Sequence, residues 1–143
     1  PRKVVFNMKR GGNLNRHLSA LVASLGHLDE IVIADAGLPI PDGVDVIDLA
    51  VSAGVPGFWD VMTAVRSEMV IEAACHAQEA ADDLQSKLAD TVAAWGQDND
   101  KIVASHSISH DAFKARTRQA KAIIRTGECT PYCNVILMSG VVF

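Results

Sequence analysis

The segment NLNRHLSALVASLGHLDEIVIAD, residues 13–35, indicates the fold class because a helix, a turn and a buried strand follow one another within it. Asn13 is predicted to cap the helix and Gly26 to end it. The apolar residues recur at helical spacing on one face: Leu14, Leu18, Leu21, Val22 and Leu25. The apolar run 31–34 is typical of a strand covered on both faces. It places Asp35 at the edge where open α/β sheets bind ligands.

Strands and helices alternate along the rest of the chain. Helices are predicted at residues 58–65, 77–95 and 110–119, and strands at residues 45–50, 69–74, 101–104, 122–125 and as a pair in 134–143. Gly96 is predicted to end the second of these helices, and Ser109 is predicted to cap the third. The segment AGLPIPDG at 36–43 predicts a rigid loop that forms a wall beside Asp35. This alternation predicts a single three-layer α/β/α sandwich with a mainly parallel, possibly mixed sheet.

The composition describes a globular chain with an acidic balance. Its 143 residues carry a formal net charge of -4, the pI is near 5.7 and the basic residues are dispersed, so we expect no nucleic-acid partner. No apolar run approaches the roughly 18 residues of a membrane span, so we expect no membrane partner and a cytoplasmic location. The odd number of cysteines favours reduced thiols. Residues 1–7 are interpreted as an N-terminal extension and residues 8–143 as one domain.

Five polar residues stand at strand ends or in tight turns: His27, Asp35, His110, Tyr132 and Asn134. Histidine can give and take protons near pH 7, and Tyr132 and Asn134, one residue apart in a predicted extended segment, can bind one ligand together. Each of the first three has a structural alternative. His27 can bond a helix carbonyl, Asp35 can begin an Asx turn, and His110 can be a surface residue at a helix start.

Other patterns give little support for metal or nucleotide chemistry. His106 and His110 are four residues apart, but His106 is predicted in a strand-to-helix turn and no carboxylate joins them, so no metal is expected. The glycines of KRGGN and VPGF form neither a dinucleotide-binding motif nor a P-loop, and no G-x-S-x-G motif is present.

Four motifs carry a resemblance to a known family: LGHLDEIVIADAGLPIP at 25–41, GVPGF at 54–58, SHDAFK at 109–114 and IIRTGECTPYCNVIL at 123–137. In this order they resemble the D-ribose pyranase family, the RbsD-like proteins, which are related to the fucose mutarotases. The resemblance extends from residue 8 to residue 143. The DAGLPIP and TPYCN segments are similar to the ribose branch.

The resemblance implies an RbsD-like fold and interconversion of the pyranose and furanose forms of D-ribose. By motif it implies His27 as the proton donor, and Asp35, His110, Tyr132 and Asn134 as sugar-binding residues. Opening a cyclic hemiacetal requires a proton on the ring oxygen and loss of one from the anomeric hydroxyl, so no metal or other cofactor is needed. The general base is left open between Asp35 and a second role for His27.

Two other functions stay open beside this one. A mutarotase for fucose or another monosaccharide would use the same groups, and a non-catalytic sugar-binding module would use the same pocket. The presence of His27 favours an enzyme, since a binding module needs no titrating group at the ring oxygen. The resemblance also implies a homo-oligomer, a decamer of two pentamers with sites near subunit contacts. The apolar segment 134–143 fits either such an interface or a core strand.

Overall fold

A computed structural model of the chain describes residues 8–143, so the predicted extension at residues 1–7 lies outside the described residues. The helices are α1 Arg16–Ser24, α2 Phe58–Arg66, α3 Asp82–Gln97 and α4 His110–Thr117. The strands are β1 Glu30–Ala34, β2 Asp45–Asp48, β3 Ile71–Ala77, β4 Ser105–Ile108, β5 Ala122–Arg125 and β6 Val135–Ser139. None of the helices in this described part is long and apolar enough to cross a membrane.

The strands form a six-stranded sheet in the order β2-β5-β1-β6-β3-β4. β1 and β2 both pair with β5 in parallel, and β3 pairs with β4 in parallel. β6 lies between β1 and β3 and is antiparallel to both, so it alone reverses direction among these strands. The carboxyl ends of β1 and β5 meet at one edge, where Ala34 pairs with Arg125.

Alternate residues of β1 face two separate cores. Ile31 and Ile33 pack under α1, α2 and α3 with the fully buried Trp95. Val32 faces the other side, where Phe113 of α4 closes the second core. Helices therefore cover both faces of the sheet, which is why β1 is apolar at every position after its first. The predicted three-layer α/β/α sandwich with a mainly parallel, mixed sheet is confirmed.

The cap of α1 differs from the prediction. Asn15 caps the helix, because its Oδ1 accepts the backbone N–H groups of His17 at 2.9 Å and Leu18 at 3.0 Å. Asn13, the predicted cap, is buried two residues earlier, and its Oδ1 accepts the backbone N–H of Asn15 at 3.0 Å. Asn13 and Asn15 have the same intrinsic ability to cap a helix. Asn13 is buried and bonds Asn15 instead of the first turn, so Asn15 is the residue that caps α1.

The two glycines predicted to end helices do not do so. α1 has already ended when Leu25 adopts an extended conformation, so Gly26 lies in the following turn. α3 runs through Gly96, where a Cβ atom would lie only 2.7 Å from the Lys101 carbonyl oxygen. Gly96 therefore allows the returning chain to pack closely on the helix.

Three predicted strands need correction. β3 covers Ile71–Ala77 rather than 69–74, and β4 covers Ser105–Ile108 rather than 101–104. Ile102 is fully exposed, whereas pairing of His106 with Cys75 places the more polar segment SHSI in the sheet. His106 is thus in a strand and not in the predicted turn. The C-terminal segment contributes one strand, β6, instead of a pair, because both neighbours of β6 come from elsewhere in the chain.

Candidate active site

A pocket lies at the edge of the sheet where β1 and β5 end. Its volume is about 490 Å³, and small-molecule sites commonly measure about 300–1,000 Å³. The loop 36–39 lines one side of it, as expected for a wall beside Asp35. Four of the five predicted site residues also line this pocket: Asp35, His110, Tyr132 and Asn134. The fold therefore brings together residues that are distant in the sequence.

Asp35 and Asn134 form one hydrogen-bonded unit. The buried Asn134 side chain accepts the backbone N–H of Asp35 through Oδ1 at 2.7 Å and donates from Nδ2 to Asp35 Oδ2 at 3.1 Å. Asp35 Oδ1 accepts the Gly37 backbone N–H at 3.0 Å, so the Asx turn considered for this residue is present as well. Burial raises the pKa of the Asp35 carboxyl above its usual range, although hydrogen bonds from Gly37 and Asn134 oppose the rise.

His110 and Tyr132 lie edge to face in the same pocket, with ring centroids 5.0 Å apart. Ser109 caps α4 as predicted, since its Oγ accepts the Ala112 backbone N–H at 3.1 Å. The backbone N–H of His110 donates to Glu79 Oε2 at 2.6 Å. Nδ1 of His110 is buried and has no hydrogen-bond partner among the described residues. Buried polar atoms are normally paired. This unpaired nitrogen is therefore a candidate to form a hydrogen bond with a ligand hydroxyl.

A strained turn presents Tyr132 to the pocket. Its φ of 60° lies in the left-handed region, so the extended conformation predicted for this segment is wrong. The Asn134 backbone N–H donates to the Tyr132 carbonyl oxygen at 2.9 Å, which closes the turn. Such strain in a non-glycine residue persists only where surrounding contacts enforce it, and it is common at binding sites. This turn, and not strand alternation, brings both side chains to one pocket.

A second carboxylate in the pocket, Glu128, was not among the predicted site residues. Its Oε1 accepts the Phe58 backbone N–H at 3.1 Å, at the first residue of α2, and its Oε2 accepts the Thr130 hydroxyl at 2.8 Å. Burial opposes ionisation of Glu128, but hydrogen bonds from Thr130 and Phe58 outweigh it and lower the pKa of the carboxyl. Glu128 therefore ties the loop between β5 and β6, residues 126–134 (the pocket loop), to α2. Glu128 lies in the TGEC segment, residues 126–129. Its partner Phe58 is 70 residues away in the sequence, so no local sequence pattern indicates that Glu128 belongs to the site.

His27 lies at the other end of β1, outside this pocket. It precedes Glu30, where β1 begins, whereas Asp35 directly follows the strand. A five-residue strand spans about 16 Å, which is well beyond the reach of an imidazole. The His27 side chain is exposed, and its Nε2 lies 2.5 Å from Glu72 Oε2 instead of bonding a helix carbonyl. One chain therefore does not bring the predicted proton donor to the predicted sugar-binding residues.

The sequence model of the RbsD / FucU transport protein family matches residues 8–142. This chain belongs to the RbsD/FucU family. It is 52% identical over 139 residues to a D-ribose pyranase of Vibrio cholerae, with 95% of this chain and 100% of the relative covered. It is 49% identical to a D-ribose pyranase of Vibrio vulnificus with the same coverage. Bacillus subtilis RbsD complexed with D-ribose has a similar structure, with a TM-score of 0.80 and 44% identity over 95% of this chain and 100% of that one.

The pocket of this RbsD/FucU chain offers several kinds of hydrogen-bonding group. Carboxylates and the free imidazole nitrogen can accept sugar hydroxyls, an amide and a phenol can donate to them, and the Tyr132 ring adds an apolar face. Among residues 8–143, no group of three or more His, Cys, Asp or Glu side chains is placed to hold a metal ion. The pocket is thus built from groups suited to a small polyhydroxylated ligand.

Proposed function

We propose that residues 8–143 form a D-ribose pyranase domain that interconverts the pyranose and furanose forms of ribose without a cofactor. The observation that carries this proposal is the pocket at the carboxyl end of β1, where Asp35, His110, Tyr132 and Asn134 converge. The D-ribose pyranases that are 49% and 52% identical over their whole length support ribose as the sugar. So does the 44% identity to an RbsD solved with D-ribose.

The reaction needs only proton transfers and a positioned sugar. A proton reaches the ring oxygen, and a base, either Asp35 or His27 in a second role, takes up the proton of the anomeric hydroxyl. The bond between the anomeric carbon and the ring oxygen then breaks and a carbonyl forms. The open chain then rotates, a different hydroxyl attacks the carbonyl, and the protons return. In this scheme His27 is the proton donor, and the four pocket residues hold the hydroxyls in place. Positioned acid–base groups accelerate such steps by about 10²–10⁴-fold.

The position of His27 makes a second copy of the chain part of the proposal. Because about 16 Å of strand separates the His27 turn from the pocket, His27 reaches a pocket only if it belongs to a neighbouring subunit. Exposed apolar side chains near the turn and at the C-terminus offer surface for such contacts: Leu28, Val142 and Phe143. A homo-oligomer, specifically the decamer of two pentamers implied by the family resemblance, is the proposed assembly. Sedimentation at several concentrations tests it, and a monomer throughout contradicts it.

Saturation-transfer NMR tests the activity directly. Exchange between the pyranose and furanose signals of D-ribose is measured at neutral pH with increasing protein, and the exchange rate should rise in proportion to the protein concentration. Replacement of ribose by L-fucose is the comparison. Acceleration of fucose exchange alone would move the function to a fucose mutarotase, and binding of ribose without acceleration of any sugar would leave a binding module.

Subunit complementation tests the shared site. At a ribose concentration well below saturation, each variant should accelerate exchange very little when tested alone, His27→Ala because it lacks the proton donor and Asn134→Ala because it binds ribose weakly. Mixed subunits should recover activity at sites that combine an intact pocket from one variant with an intact His27 from the other, about a quarter of all sites for random mixing around a closed ring. Each variant refolded alone is the control. If the mixture stays inactive while the mixed oligomers form, the site does not span two subunits.

A cytoplasmic location is part of the same proposal. The three cysteines, Cys75, Cys129 and Cys133, are all free thiols in the structure. Free thiols are maintained in reducing compartments, where disulfides are rare. Fractionation of cells against a cytoplasmic marker enzyme tests the location, and recovery in the extracellular or membrane fraction contradicts it.

A further inference from the structure

The turn that carries His27 is built to hold one conformation. The Gly26 backbone N–H donates to Asp29 Oδ2 at 2.8 Å, and the Asp29 backbone N–H donates back to the Gly26 carbonyl oxygen at 3.2 Å. Leu28 has a φ of 73°, in the left-handed region, and its backbone N–H donates to the Ser139 carbonyl oxygen at 2.9 Å. A leucine keeps this strained conformation only when its surroundings enforce it. His27 is therefore presented by a fixed turn pinned to the end of β6.

Glu72 reaches His27 from an irregular point in β3. The pairing of β3 with β6 shifts between Ile71, opposite Ser139, and Ala73, opposite Met138, so Glu72 has no partner in the ladder. Bulges of this kind re-aim a side chain and are frequent beside active sites. Glu72 is exposed although Ile71 is buried in the core. The irregularity thus places a charged side chain beside the His27 turn, in a strand whose other residues, apart from His76, are apolar.

The contact between these side chains determines which ring nitrogen of His27 is free. Nε2 lies 2.5 Å from Glu72 Oε2, and within residues 8–143 neither side chain makes another hydrogen bond. An ionised carboxylate only accepts, so the proton of the neutral ring sits on Nε2 and Nδ1 keeps its lone pair. The side chains are 47% and 40% exposed, and exposed ion pairs add little stability. The pair therefore matters less for the stability of the fold than for the orientation of the His27 ring.

We propose that Glu72 is a positioning residue that holds the His27 ring with Nε2–H toward its carboxylate, so that Nδ1 is the atom that exchanges a proton with the sugar. This inference rests on the proposed ribose pyranase function and on His27 as its proton donor. Glu72 does not touch the sugar in this role. In the neutral ring Nδ1 accepts a proton, and in the imidazolium Nδ1–H donates one to the ring oxygen, while the Nε2–H bond stays in place.

A double-mutant cycle tests whether Glu72 acts through His27. The ribose exchange rate is measured for the intact oligomer of the wild type, Glu72→Ala, His27→Ala and the double variant. Glu72→Ala should lower kcat by about 10- to 100-fold with KM unchanged, the effect typical of removing a group that orients a functional imidazole. In the His27→Ala background it should have no further effect. Asp90→Ala, which removes an exposed carboxylate from α3, is the control and should match the wild type.

Two further measurements separate positioning from a general structural effect. The ¹⁵N shifts of the His27 ring should report the Nε2–H tautomer in the wild type and a mixture of tautomers in Glu72→Ala. Glu72→Gln keeps an oxygen acceptor and should restore part of the rate. A wild-type rate or tautomer in Glu72→Ala, or a full additional loss in the His27→Ala background, overturns the role of Glu72. Absence of ribose exchange in the wild type overturns the proposed function itself.

Discussion

The two ends of β1 carry polar groups that are held in different ways. At the carboxyl end, Asp35 is half-buried and is fixed by two hydrogen bonds with the buried Asn134. At the amino end, His27 is exposed and is held by a turn and by Glu72. In the proposed function the buried network holds the sugar hydroxyls, whereas the exposed imidazole is presented to the surface of a neighbouring subunit. We therefore expect changes at the pocket to alter affinity and changes at the turn to alter rate.

The largest expected effect comes from His27→Ala. The ribose exchange rate should fall by about 10²–10⁴-fold, the usual contribution of a positioned acid–base group, while the dissociation constant for ribose stays close to that of the wild type. NMR exchange gives the rate and ligand titration gives the affinity. His17→Ala, at another exposed histidine, is the matched control. A loss of affinity as large as the loss of rate would place His27 among the binding groups and remove the contrast between the two ends.

Gly127→Ala should damage the pocket end through the backbone. A Cβ atom at Gly127 would lie 2.5 Å from the Val55 carbonyl oxygen and 2.6 Å from that of Ser52, so the pocket loop must shift. We expect a destabilisation of about 1–3 kcal/mol, as for other overpacked sites, together with weaker ribose binding. Gly26→Ala, in the His27 turn, is the control, because its nearest atom is Asp29 Oδ2 at 3.5 Å. Urea unfolding of both variants measures the difference, and equal stabilities would show that the pocket loop adapts freely.

Asn134→Ala should affect affinity and stability together. It removes both hydrogen bonds to Asp35 and leaves the Asp35 backbone N–H without its acceptor. An unpaired buried polar group costs about 1–3 kcal/mol, and the loss of the amide should weaken ribose binding. Asn99→Ala, at an exposed turn residue, should change neither quantity. Wild-type ribose affinity in Asn134→Ala would mean that this amide supports Asp35 without contacting the sugar.

The sequence predicts best where local signals decide the structure. The Ser109 cap, the start of α4 at His110 and the strand Ala122–Arg125 follow from capping preference and an apolar run, and all three are present. The position of β4 was missed because pairing with β3 fixes a short, polar edge strand. Glu128 was missed because its partner on α2 is distant in the sequence. The separation of His27 from the pocket depends on which end of β1 each residue occupies, and the motifs alone do not show how subunits would bring them together.

The expected effect that is smallest near neutral pH is a loss of stability at the pocket end, which develops only as the solution becomes alkaline. Burial raises the pKa of the Cys133 thiol to about 12 and that of Cys75 to about 11, from an ordinary value of 9.0. Between pH 9 and these values the folded state holds protons that the unfolded state has released, so the free energy of unfolding falls as pH rises through this window. Urea unfolding from neutral pH to about pH 11 should show a shallower decline of the free energy of unfolding in Cys133→Ala than in the wild type, because the variant lacks one of the two thiols with a raised pKa. Cys129→Ser, at the exposed cysteine of the same loop, should decline like the wild type. Identical slopes in all three proteins would mean that water reaches the thiol of Cys133, and the pocket end would then be as open to solvent as the His27 turn.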